Sequence, residues 1–461
     1  MTPADRSRAG RKHSSRGTAQ MPRRASRFTI IAMVTLLAAT GCASKPRQLM
    51  PTPVVYQTPN GEPVITLPAE TRSASTDVDL LYLTDRGPET NPESDLPYGQ
   101  DRAKRIEFGS ARVEIGPDVA WPVLERESRL AQRTRDLDLS LGRVQRLGAF
   151  PDEPYDIRIG PGGARYRDEA TLAQHVTARR QLQEEVQQRL ARSPRKEVML
   201  YVHGFNETFA TSAFTAAELC HFLGREPVCA FFTWPASSTG NFLISYTSTT
   251  ESADYARNHL KKVIRTLATT PGVEQVQLLA HSRGTALLLT AVRELMGEAI
   301  AAGKEPAEVL KVDNVVLFSP DIDVQVTAQM ITAFASDPDF FSVWPSGRLP
   351  DAIRGRLTIY SSPKDRALLV SRILFRSESR VGNLRSEDVT PEAQRYLDRL
   401  GNIDLVIYEG KLTDAFGHSY FTTNPQVSSD VMQLLRYDRP PEERDLVQRG
   451  PIVWEFPRAT P

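Results

Sequence analysis

The fold is decided by residues 276–295, which read Val276-Gln-Leu-Leu-Ala280, His281-Ser282-Arg283-Gly284 and Thr285-Ala-Leu-Leu-Leu-Thr-Ala-Val-Arg-Glu-Leu295. The first five residues form a short apolar run without helical spacing, which predicts a buried strand. After the turn, Leu288, Val292 and Leu295 recur at i, i+4 and i+7, which is the spacing of an amphipathic helix. The stretch therefore predicts a strand, a tight turn that carries a serine, and a helix.

The turn has the residue pattern of a nucleophile elbow. Ala280 and Gly284 stand two residues before and two residues after Ser282, where small side chains relieve crowding. The pattern is A-x-S-x-G rather than G-x-S-x-G. A serine and glycine after a strand also occur in ordinary turns, so the interpretation depends on the rest of the chain.

Strands and helices alternate along most of the sequence. This alternation predicts a mainly parallel sheet with helices on both faces, the α/β class. No detailed assignment is made for residues 116–165, where proline and glycine interrupt short strand-like pieces. The predicted strands are 78–84, 106–115, 198–202, 228–234, 276–280, 312–318, 356–360 and 403–408, and the predicted helices are 168–192, 212–223, 251–267, 285–295 and 427–436.

Composition limits the functional classes. A chain of 461 residues, 40% of them hydrophobic, can bury a large core, and we assign one catalytic domain to residues 76–440 with a tail at 441–461. The formal net charge of +1 gives no electrostatic reason to expect a nucleic-acid partner. The sequence leaves the oligomeric state open.

The N-terminus has the pattern of a secretory signal. Three arginines precede the apolar run 28–40, which is too short to span a bilayer, and Ala39-Thr40-Gly41-Cys42 resembles a bacterial lipobox. We predict that residues 1–41 are an extension and signal peptide, and that Cys42 is lipidated. An ordinary cleaved signal with an incidental cysteine is the alternative. The proline-rich residues 42–75 are predicted to be a tether, and Ala43 in place of aspartate favours the outer membrane, facing the periplasm.

Two cysteines remain after Cys42. Cys220 and Cys229 fall at a predicted helix end and a predicted strand start, close enough in sequence to pair. An extracytoplasmic compartment would permit a disulfide, and two buried free thiols are the alternative.

Candidate catalytic side chains follow the predicted strands, because functional groups of parallel sheets lie at the strands' carboxyl ends. Of the seven histidines, His418 lies on a short loop after the last predicted strand. The other six lie in the predicted signal region, in predicted helices, beside Ser282 or in the His203-Gly204 turn. Asp365 follows the preceding strand and is the favoured acid, with Asp321 and Asp323 as alternatives that could instead cap a helix. The chain order Ser, Asp, His is the order of an α/β-hydrolase triad.

Several motifs together resemble the bacterial α/β hydrolases of the esterase/lipase superfamily that are grouped as a domain of unknown function. The resemblance covers roughly 78–436, and its motifs are Tyr201-Val-His-Gly-Phe-Asn206, Phe232-Thr-Trp-Pro235, Ala280-His-Ser-Arg-Gly284, Ser319-Pro-Asp-Ile-Asp323, Tyr360-Ser-Ser-Pro-Lys-Asp-Arg-Ala-Leu368 and Gly417-His-Ser419. It implies an α/β-hydrolase fold and hydrolysis by Ser282, Asp365 and His418. One departure is Arg283, where methionine is common.

The expected oxyanion donors are the backbone N–H groups of Arg283, which follows the nucleophile, and Phe205, which follows the His203-Gly204 pair. The sequence has no Walker loop, no G-x-G-x-x-G and no clustered metal ligands, so no metal and no cofactor are expected. The apolar insertion 324–350 fits either a small cap over the site or packing against the core.

The leading hypothesis is a lipid-anchored serine hydrolase that cleaves carboxylic esters, of small molecules or of lipids, through an acyl-enzyme. A rival from another class is a catalytically silent envelope lipoprotein that uses the same fold for binding or scaffolding. A peptidase or an acyltransferase with the same triad is a narrower alternative. The natural substrate does not follow from the residues.

Overall fold

The computed structural model describes residues 46–57, 64, 75–236, 242–336, 344 and 348–458. The chain divides into two compact units, Met1–Ser44 and Lys45–Pro461, and all described residues belong to the second. The predicted signal peptide and Cys42 therefore lie outside the described residues.

One large sheet organises this unit. Eleven strands are hydrogen-bonded in the order β12-β13-β11-β10-β9-β8-β6-β7-β1-β2-β3, and β4 and β5 form a separate hairpin. In this spatial order, the eight strands from β13 to β1 are all paired in parallel. The pairs β1–β2, β2–β3 and β12–β13 at the two ends of the sheet are antiparallel. The strands are β1 (Asp77–Pro88), β2 (Tyr98–Ile115), β3 (Leu139–Ala149), β4 (Ile157–Ile159), β5 (Arg165–Arg167), β6 (Glu197–Val202), β7 (Val228–Thr233), β8 (Gln275–His281), β9 (Val312–Phe318), β10 (Leu357–Ser361), β11 (Ile403–Ile407), β12 (Val447–Gln448) and β13 (Val453–Glu455).

Helices connect the parallel strands, as the alternating sequence pattern predicts. The described helices are α1 (Trp121–Glu127), α2 (Glu169–Arg192), α3 (Phe209–Phe222), α4 (Phe242–Ala268), α5 (Arg283–Ala301), α6 (Pro306–Leu310), α7 (Val324–Ser336), α8 (Arg366–Phe375), α9 (Pro391–Leu400), α10 (Tyr420–Thr423) and α11 (Pro425–Tyr437).

The sheet has a hydrophobic core on each face. Because successive side chains of a strand point to opposite faces, β6 divides its residues between the two cores. Val198, Leu200 and Val202 join the cluster that contains residues of α2, α4 and α5. Met199 and Tyr201 join the cluster that contains residues of α3 and α11. The predicted mostly parallel sheet with helices on both faces is therefore confirmed.

The segment before β1 corrects the predicted tether 42–75 in part. Residues 46–57 are packed on the domain, because Tyr56 is only 1% exposed and the backbone N–H of Met50 donates to the Glu218 carboxylate over 2.7 Å. Proline-rich composition is typical of a spacer, but it does not prevent interspersed apolar residues from docking. The described part of this segment belongs to the folded unit.

The predicted C-terminal tail 441–461 also needs a correction. It contributes β12 and β13, and β13 adds to the sheet in parallel beside β11. A strand of three residues gives too short a pattern to be read from the sequence. The sheet therefore continues beyond the predicted end of the domain at residue 440.

The two cysteines whose pairing the sequence leaves undecided form a disulfide. Cys220 near the end of α3 and Cys229 at the start of β7 form a disulfide, with a Cα–Cα distance of 6.0 Å. This bond ties a helix to the strand that follows it.

The insertion 324–350 is described only in part. Its first half forms α7, and the described part of its second half consists of residues 344 and 348–350. Whether the insertion covers the site as a cap therefore stays a prediction. No helix in the described ranges combines the length and the apolar character that crossing a membrane requires.

Candidate active site

The turn between β8 and α5 holds Ser282 in a strained conformation. Its backbone has φ 52° and ψ −125°, and positive φ is uncommon for a residue with a side chain. The turn is fixed because the Ser282 N–H donates to the Phe318 carbonyl over 2.9 Å, and the Thr285 hydroxyl donates to the Ser282 carbonyl over 2.6 Å. Ser282 is 6% exposed, at the carboxyl end of the central strand β8.

Two glycines let this turn approach the loop after β6. A Cβ on Gly204 would lie 2.6 Å from the Cβ of Ser282, and a Cβ on Gly284 would lie 2.1 Å from the His203 carbonyl oxygen. Both distances are shorter than two non-bonded heavy atoms tolerate, so a larger residue at either position would push the loop away from the serine. The loop that contains Phe205 is therefore held next to Ser282.

His418 and Asp365 meet at the carboxyl ends of neighbouring strands. The His418 Nδ1 atom lies 2.6 Å from Asp365 Oδ2, and Asp365 is fully buried after β10. The other oxygen of Asp365 accepts the backbone N–H of Leu368 over 3.1 Å, where α8 begins. The carboxylate is thus fixed from two sides, and it orients the imidazole through Nδ1. Nε2 remains as the nitrogen that can exchange a proton with a hydroxyl.

Ser282 is not hydrogen-bonded to His418 in the described part of the chain. Hydrogen bonds between a catalytic nucleophile and its base are often long or poorly aligned before substrate binds. The structure thus brings Asp365 and His418 into direct contact and places Ser282 at the same edge of the sheet, at the end of β8, which β9 separates from β10.

The loop that carries His418 is held by Asp414. One Asp414 oxygen accepts the backbone N–H groups of Phe416 over 2.9 Å and of His418 over 3.2 Å, and the other accepts that of Ser419 over 3.0 Å. The sequence pattern alone assigns Asp414 no role. An aspartate just before a glycine-containing loop often bonds to backbone groups that follow it, and this signal could have been used.

The backbone of His418 is held from the other side as well. Its carbonyl oxygen accepts hydrogen bonds from His281 Nε2 and from the Ser319 hydroxyl, both over 3.1 Å. Burial and the neighbouring His418 keep the pKa of His281 well below its usual value, so His281 is neutral and carries its proton on Nε2. The sequence excluded His281 because of its position beside Ser282, yet it is a positioning residue for His418.

The protonation of His418 depends on two opposing influences. Burial lowers the pKa of His418, but the adjacent Asp365 carboxylate raises it by charge and by hydrogen bonding, and the net result is a pKa above 6.5, the ordinary value for histidine. A more basic imidazole accepts a proton more readily, as a general base requires.

The alternative acids have other partners. Asp321 accepts a hydrogen bond from the Ser371 hydroxyl over 2.6 Å. Asp323 caps α7, because it accepts the backbone N–H groups of Gln325 over 2.8 Å and Val326 over 3.2 Å. Neither carboxylate is hydrogen-bonded to His418 in the described ranges. Capping alone does not distinguish the candidates, since Asp365 caps α8 as well.

The predicted oxyanion donors lie on two elements that touch Ser282. Arg283 is the first residue of α5, and the first N–H groups of a helix have no partner within the helix. Phe205 follows β6 on the loop that Gly204 holds against the serine, and its ring packs on Tyr246 with a centroid distance of 5.2 Å. Their role as oxyanion donors stays a prediction.

Two other histidines have structural surroundings. The His203 ring stacks on Trp234, and its Nε2 accepts the backbone N–H of Trp234 over 3.0 Å. His259 Nδ1 lies 2.9 Å from Asp85 Oδ2 inside the domain. No group of three or more His, Cys, Asp or Glu side chains within the described ranges is arranged to hold a metal ion.

Comparison with known families places this geometry in context. Residues 178–437, more than half of the chain, match the family described as "Alpha/beta hydrolase of unknown function (DUF900)". The chain belongs to this α/β-hydrolase family. The matched region contains Ser282, Asp365 and His418, and membership supports hydrolase activity in general without naming a substrate. No curated protein matches the sequence.

The solved structures that this chain is similar to have little sequence identity with it. An esterase from Pyrobaculum calidifontis is 12% identical, with 53% of this chain and 78% of that chain covered and a TM-score of 0.29. A predicted CIB-like hydrolase from Thermoplasma acidophilum is 14% identical, with 53% and 88% covered and a TM-score of 0.30. An esterase from Pyrococcus furiosus is 14% identical, with 52% and 83% covered and a TM-score of 0.29. At these scores the similarity carries no argument about activity.

Proposed function

We propose that this α/β hydrolase cleaves carboxylic esters with Ser282 as nucleophile, His418 as general base and Asp365 as the acid that orients His418. The observation that carries the proposal is the 2.6 Å contact between His418 Nδ1 and the fully buried Asp365, at strand ends beside the strained Ser282 turn. A backbone strained at a polar residue is typical of a functional site.

The proposed reaction has two halves. His418 Nε2 takes the proton of Ser282 Oγ while this oxygen attacks the ester carbonyl, and Asp365 stabilises the imidazolium that forms. The backbone N–H groups of Arg283 and Phe205 bind the oxyanion, and His418 then returns the proton to the leaving alcohol. In the second half, water attacks the acyl-enzyme by the same route and releases the acid.

A panel of p-nitrophenyl esters from acetate to palmitate, measured beside p-nitroanilides with the same acyl groups, tests the reaction class. We expect the esters to be hydrolysed with a kcat/KM at least about 100-fold above that of the anilides, because p-nitrophenoxide leaves without protonation whereas an anilide nitrogen must be protonated as it leaves. The chain length with the highest kcat/KM reports the size of the acyl site.

Three outcomes would contradict the proposal. Faster hydrolysis of the anilides would indicate a peptidase. No hydrolysis of any member, together with no labelling by a fluorophosphonate, would favour the binding or scaffolding role. Transfer of the acyl group to an added alcohol in preference to water would indicate an acyltransferase.

We also propose that the protein is a lipoprotein of the cell envelope, attached through Cys42 and facing the periplasm. The charged residues and short apolar run before Ala39-Thr40-Gly41-Cys42 support this location. The disulfide between Cys220 and Cys229 adds support, because such bonds persist in oxidising compartments such as the bacterial periplasm. A lipoprotein cysteine carries several acyl chains, which hold a protein at a membrane far longer than a single chain does.

Replacing Cys42 with serine is expected to abolish lipid attachment and to leave the esterase activity of the protein unchanged. In detergent phase separation, the parent protein should enter the detergent phase, whereas the Cys42→Ser variant and a form that begins at Pro46 should stay in the aqueous phase. The form that begins at Pro46 keeps residues 46–57 and therefore the contacts of Met50 and Tyr56. A parent protein in the aqueous phase, with a mature N-terminus other than Cys42, would rule out the anchor.

A further inference from the structure

A cavity of about 620 Å³ lies against the first turns of α5, directly after the proposed nucleophile. Its walls come from α4, α5, the start of α7 and the segment that follows α8. Four arginines line it, and the exposed ring of Phe375 lies among them. The arginines are Arg257, Arg283, Arg376 and Arg380.

Arg380 is buried without the hydrogen bonds that a guanidinium normally makes. It is only 4% exposed, and its Nη2 and Nε atoms have no hydrogen-bond partner among the described residues. Nε lies 3.4 Å from Asp321 Oδ1, which is an ion pair by distance but lacks hydrogen-bond geometry. Buried donors without a partner are costly, so a guanidinium that has two nitrogen atoms without hydrogen bonds beside a cavity indicates a ligand that accepts hydrogen bonds.

Arg283 approaches the same place from the other side. Its Nη1 donates to the Asp321 carbonyl over 3.3 Å, and its buried Nε has no partner in the described structure. Burial and the neighbouring Arg380 together lower the pKa of Arg283 to about 10, so the Arg283 guanidinium remains charged at neutral pH. Both guanidinium groups stack over the Phe375 ring, at 5.5 Å for Arg283 and 4.7 Å for Arg380.

The other charges around the cavity limit the charge of a ligand. Arg257 is paired with Glu294 over 3.2 Å, and three acidic residues also line the cavity. Arg380 also lies 3.4 Å from the Asp321 carboxylate, so the acidic groups balance the arginines, and what Arg283 and Arg380 offer over Phe375 is N–H donors without a partner among the described residues. A single carboxylate fits this balance better than a polyanion, and its two oxygens match the planar fork of a guanidinium. The acidic residues are Asp254, Asp323 and Glu378.

Hydrogen bonds and ring contacts connect the cavity to the proposed reaction centre. The backbone N–H of Asp321 donates to the Ser282 carbonyl over 3.3 Å, while the carbonyl of the same residue accepts from the Arg283 guanidinium. Phe375 packs on Tyr246 with a centroid distance of 5.5 Å, and Tyr246 packs on Phe205. One wall of the cavity thus continues into the loop that we propose as the oxyanion site.

A larger cavity, of about 670 Å³, borders the His418 loop but offers less free charge. Its Arg47 is paired with Glu218 over 2.6 Å, and its Arg133 donates to the backbone carbonyls of Leu49 and Met50. These two arginines already have partners within the protein, and Arg135, the third arginine of the lining, is exposed to solvent, so the cavity beside α5 is the better candidate for an anion.

We propose that the cavity beside α5 is a substrate subsite in which Arg283 and Arg380 bind a carboxylate carried by the ester. The inference rests on the proposed esterase function and narrows its substrates to esters that bear one negative charge near the scissile bond. No covalent chemistry takes place in the subsite, which selects and orients the substrate for attack by Ser282.

The test compares mono-p-nitrophenyl adipate with its methyl ester, because the two substrates have the same acyl chain and differ in charge. We expect the parent to prefer the anionic substrate. In Arg380→Gln, the ratio of kcat/KM for the anionic over the neutral ester should fall about tenfold or more, mainly through KM, because a charge-assisted hydrogen bond to the carboxylate is lost. Arg380→Lys keeps the positive charge beside Asp321 but loses the fork, and should lower the ratio several-fold.

Arg372→Gln is the matched control, since Arg372 is also an arginine of α8 but is not among the residues that line the cavity. Its ratio should equal that of the parent. An Arg380→Gln variant that folds, judged by thermal unfolding, and keeps the parent ratio would overturn the subsite and leave the esterase proposal standing. Should Arg380→Gln fail to fold, an unchanged ratio in Arg380→Lys would overturn it.

A binding measurement separates the subsite from the proposed function. Monomethyl adipate is titrated into Ser282→Ala protein by calorimetry, with dimethyl adipate as the neutral comparison. The monoanion should bind at least about tenfold more tightly, and Arg380→Gln in the same background should remove the difference. If neither ester is hydrolysed by the parent but this difference is found, the esterase function fails and the subsite stands. Equal binding of both compounds would overturn the subsite.

Discussion

Replacing Ser282 with alanine is expected to lower kcat for ester hydrolysis by about 10⁴-fold or more and to abolish labelling by a fluorophosphonate probe. The proposed mechanism forms the acyl-enzyme on Ser282 Oγ, and no other atom at the turn can replace it. Alanine keeps the Cβ at a position where the backbone is strained, so the strain at φ 52° is the same in both proteins. Active-site labelling followed by mass spectrometry measures the effect directly.

Ser319 provides a matched control for this substitution. It also has positive φ, at 45°, it is fully buried, and it follows the neighbouring strand β9. Its hydroxyl supports the His418 carbonyl and is not the proposed nucleophile. Ser319→Ala should therefore still be labelled. Labelling of Ser282→Ala at the level of the parent would disprove the assignment of the nucleophile.

The second large effect is expected for Asp365→Asn, which should lower kcat by about 10⁴-fold while the protein remains folded. An asparagine amide cannot hold the productive tautomer of His418 or stabilise its cation. It can still accept the Leu368 N–H, and asparagine is as good a helix cap as aspartate, so α8 should be retained. Steady-state kinetics together with circular dichroism distinguishes loss of catalysis from loss of fold.

The pH dependence of kcat/KM gives an independent check on this role. His418 must be neutral to act as a base, so activity should fall as the pH drops below its pKa, and Asp365 places that pKa above 6.5. The residual activity of Asp365→Asn should therefore have its acidic limb at lower pH than the parent. Asp323→Asn changes a capping carboxylate that does not contact His418, so it should keep both the kcat/KM of the parent and the pH of its acidic limb. An active Asp365→Asn beside an inactive Asp321→Asn or Asp323→Asn would show that the acid is misassigned.

Much of the fold could be predicted because buried parallel strands appear as continuous apolar runs. Such a strand is covered on both faces, so β6 and β8 have hardly any polar residue in their centres. The start of α2 was also predicted closely, because Asp168 accepts the Thr171 N–H as an N-cap. These signals are local, and the surrounding fold agrees with them.

Other strands and helices extend beyond the residues that the sequence pattern predicts for them. The first half of β2, from residue 98, is rich in charged residues and lacks the alternation of a half-buried strand. The first turns of α4, from residue 242, contain aromatic, serine and threonine residues with low helix propensity. Pairing with β1 and packing in the domain decide these segments, and neither can be read from a short window.

The candidate site also has features that the sequence predicts and features that it does not. His418 and Asp365 could be chosen because strand order and chain order restrict which residues meet at the sheet's carboxyl edge. The support of His418 by Asp414 and His281 could not be predicted from the sequence, because it depends on which backbone groups the loop presents. Likewise, the pairing of Cys220 with Cys229 required a Cα separation that sequence does not provide.

The strands at both ends of the sheet have a consequence for any fragment of this protein. The family match spans residues 178–437, whereas β1 to β3 precede it and β12 and β13 follow it. Cutting the chain to the matched region would uncover the long side of β7, where β1 pairs, and that of β11, where β13 pairs. Open edges of apolar strands pair readily with other chains, so such a fragment should aggregate. The proposed catalytic residues thus lie in a region that depends on its flanking strands to remain monodisperse.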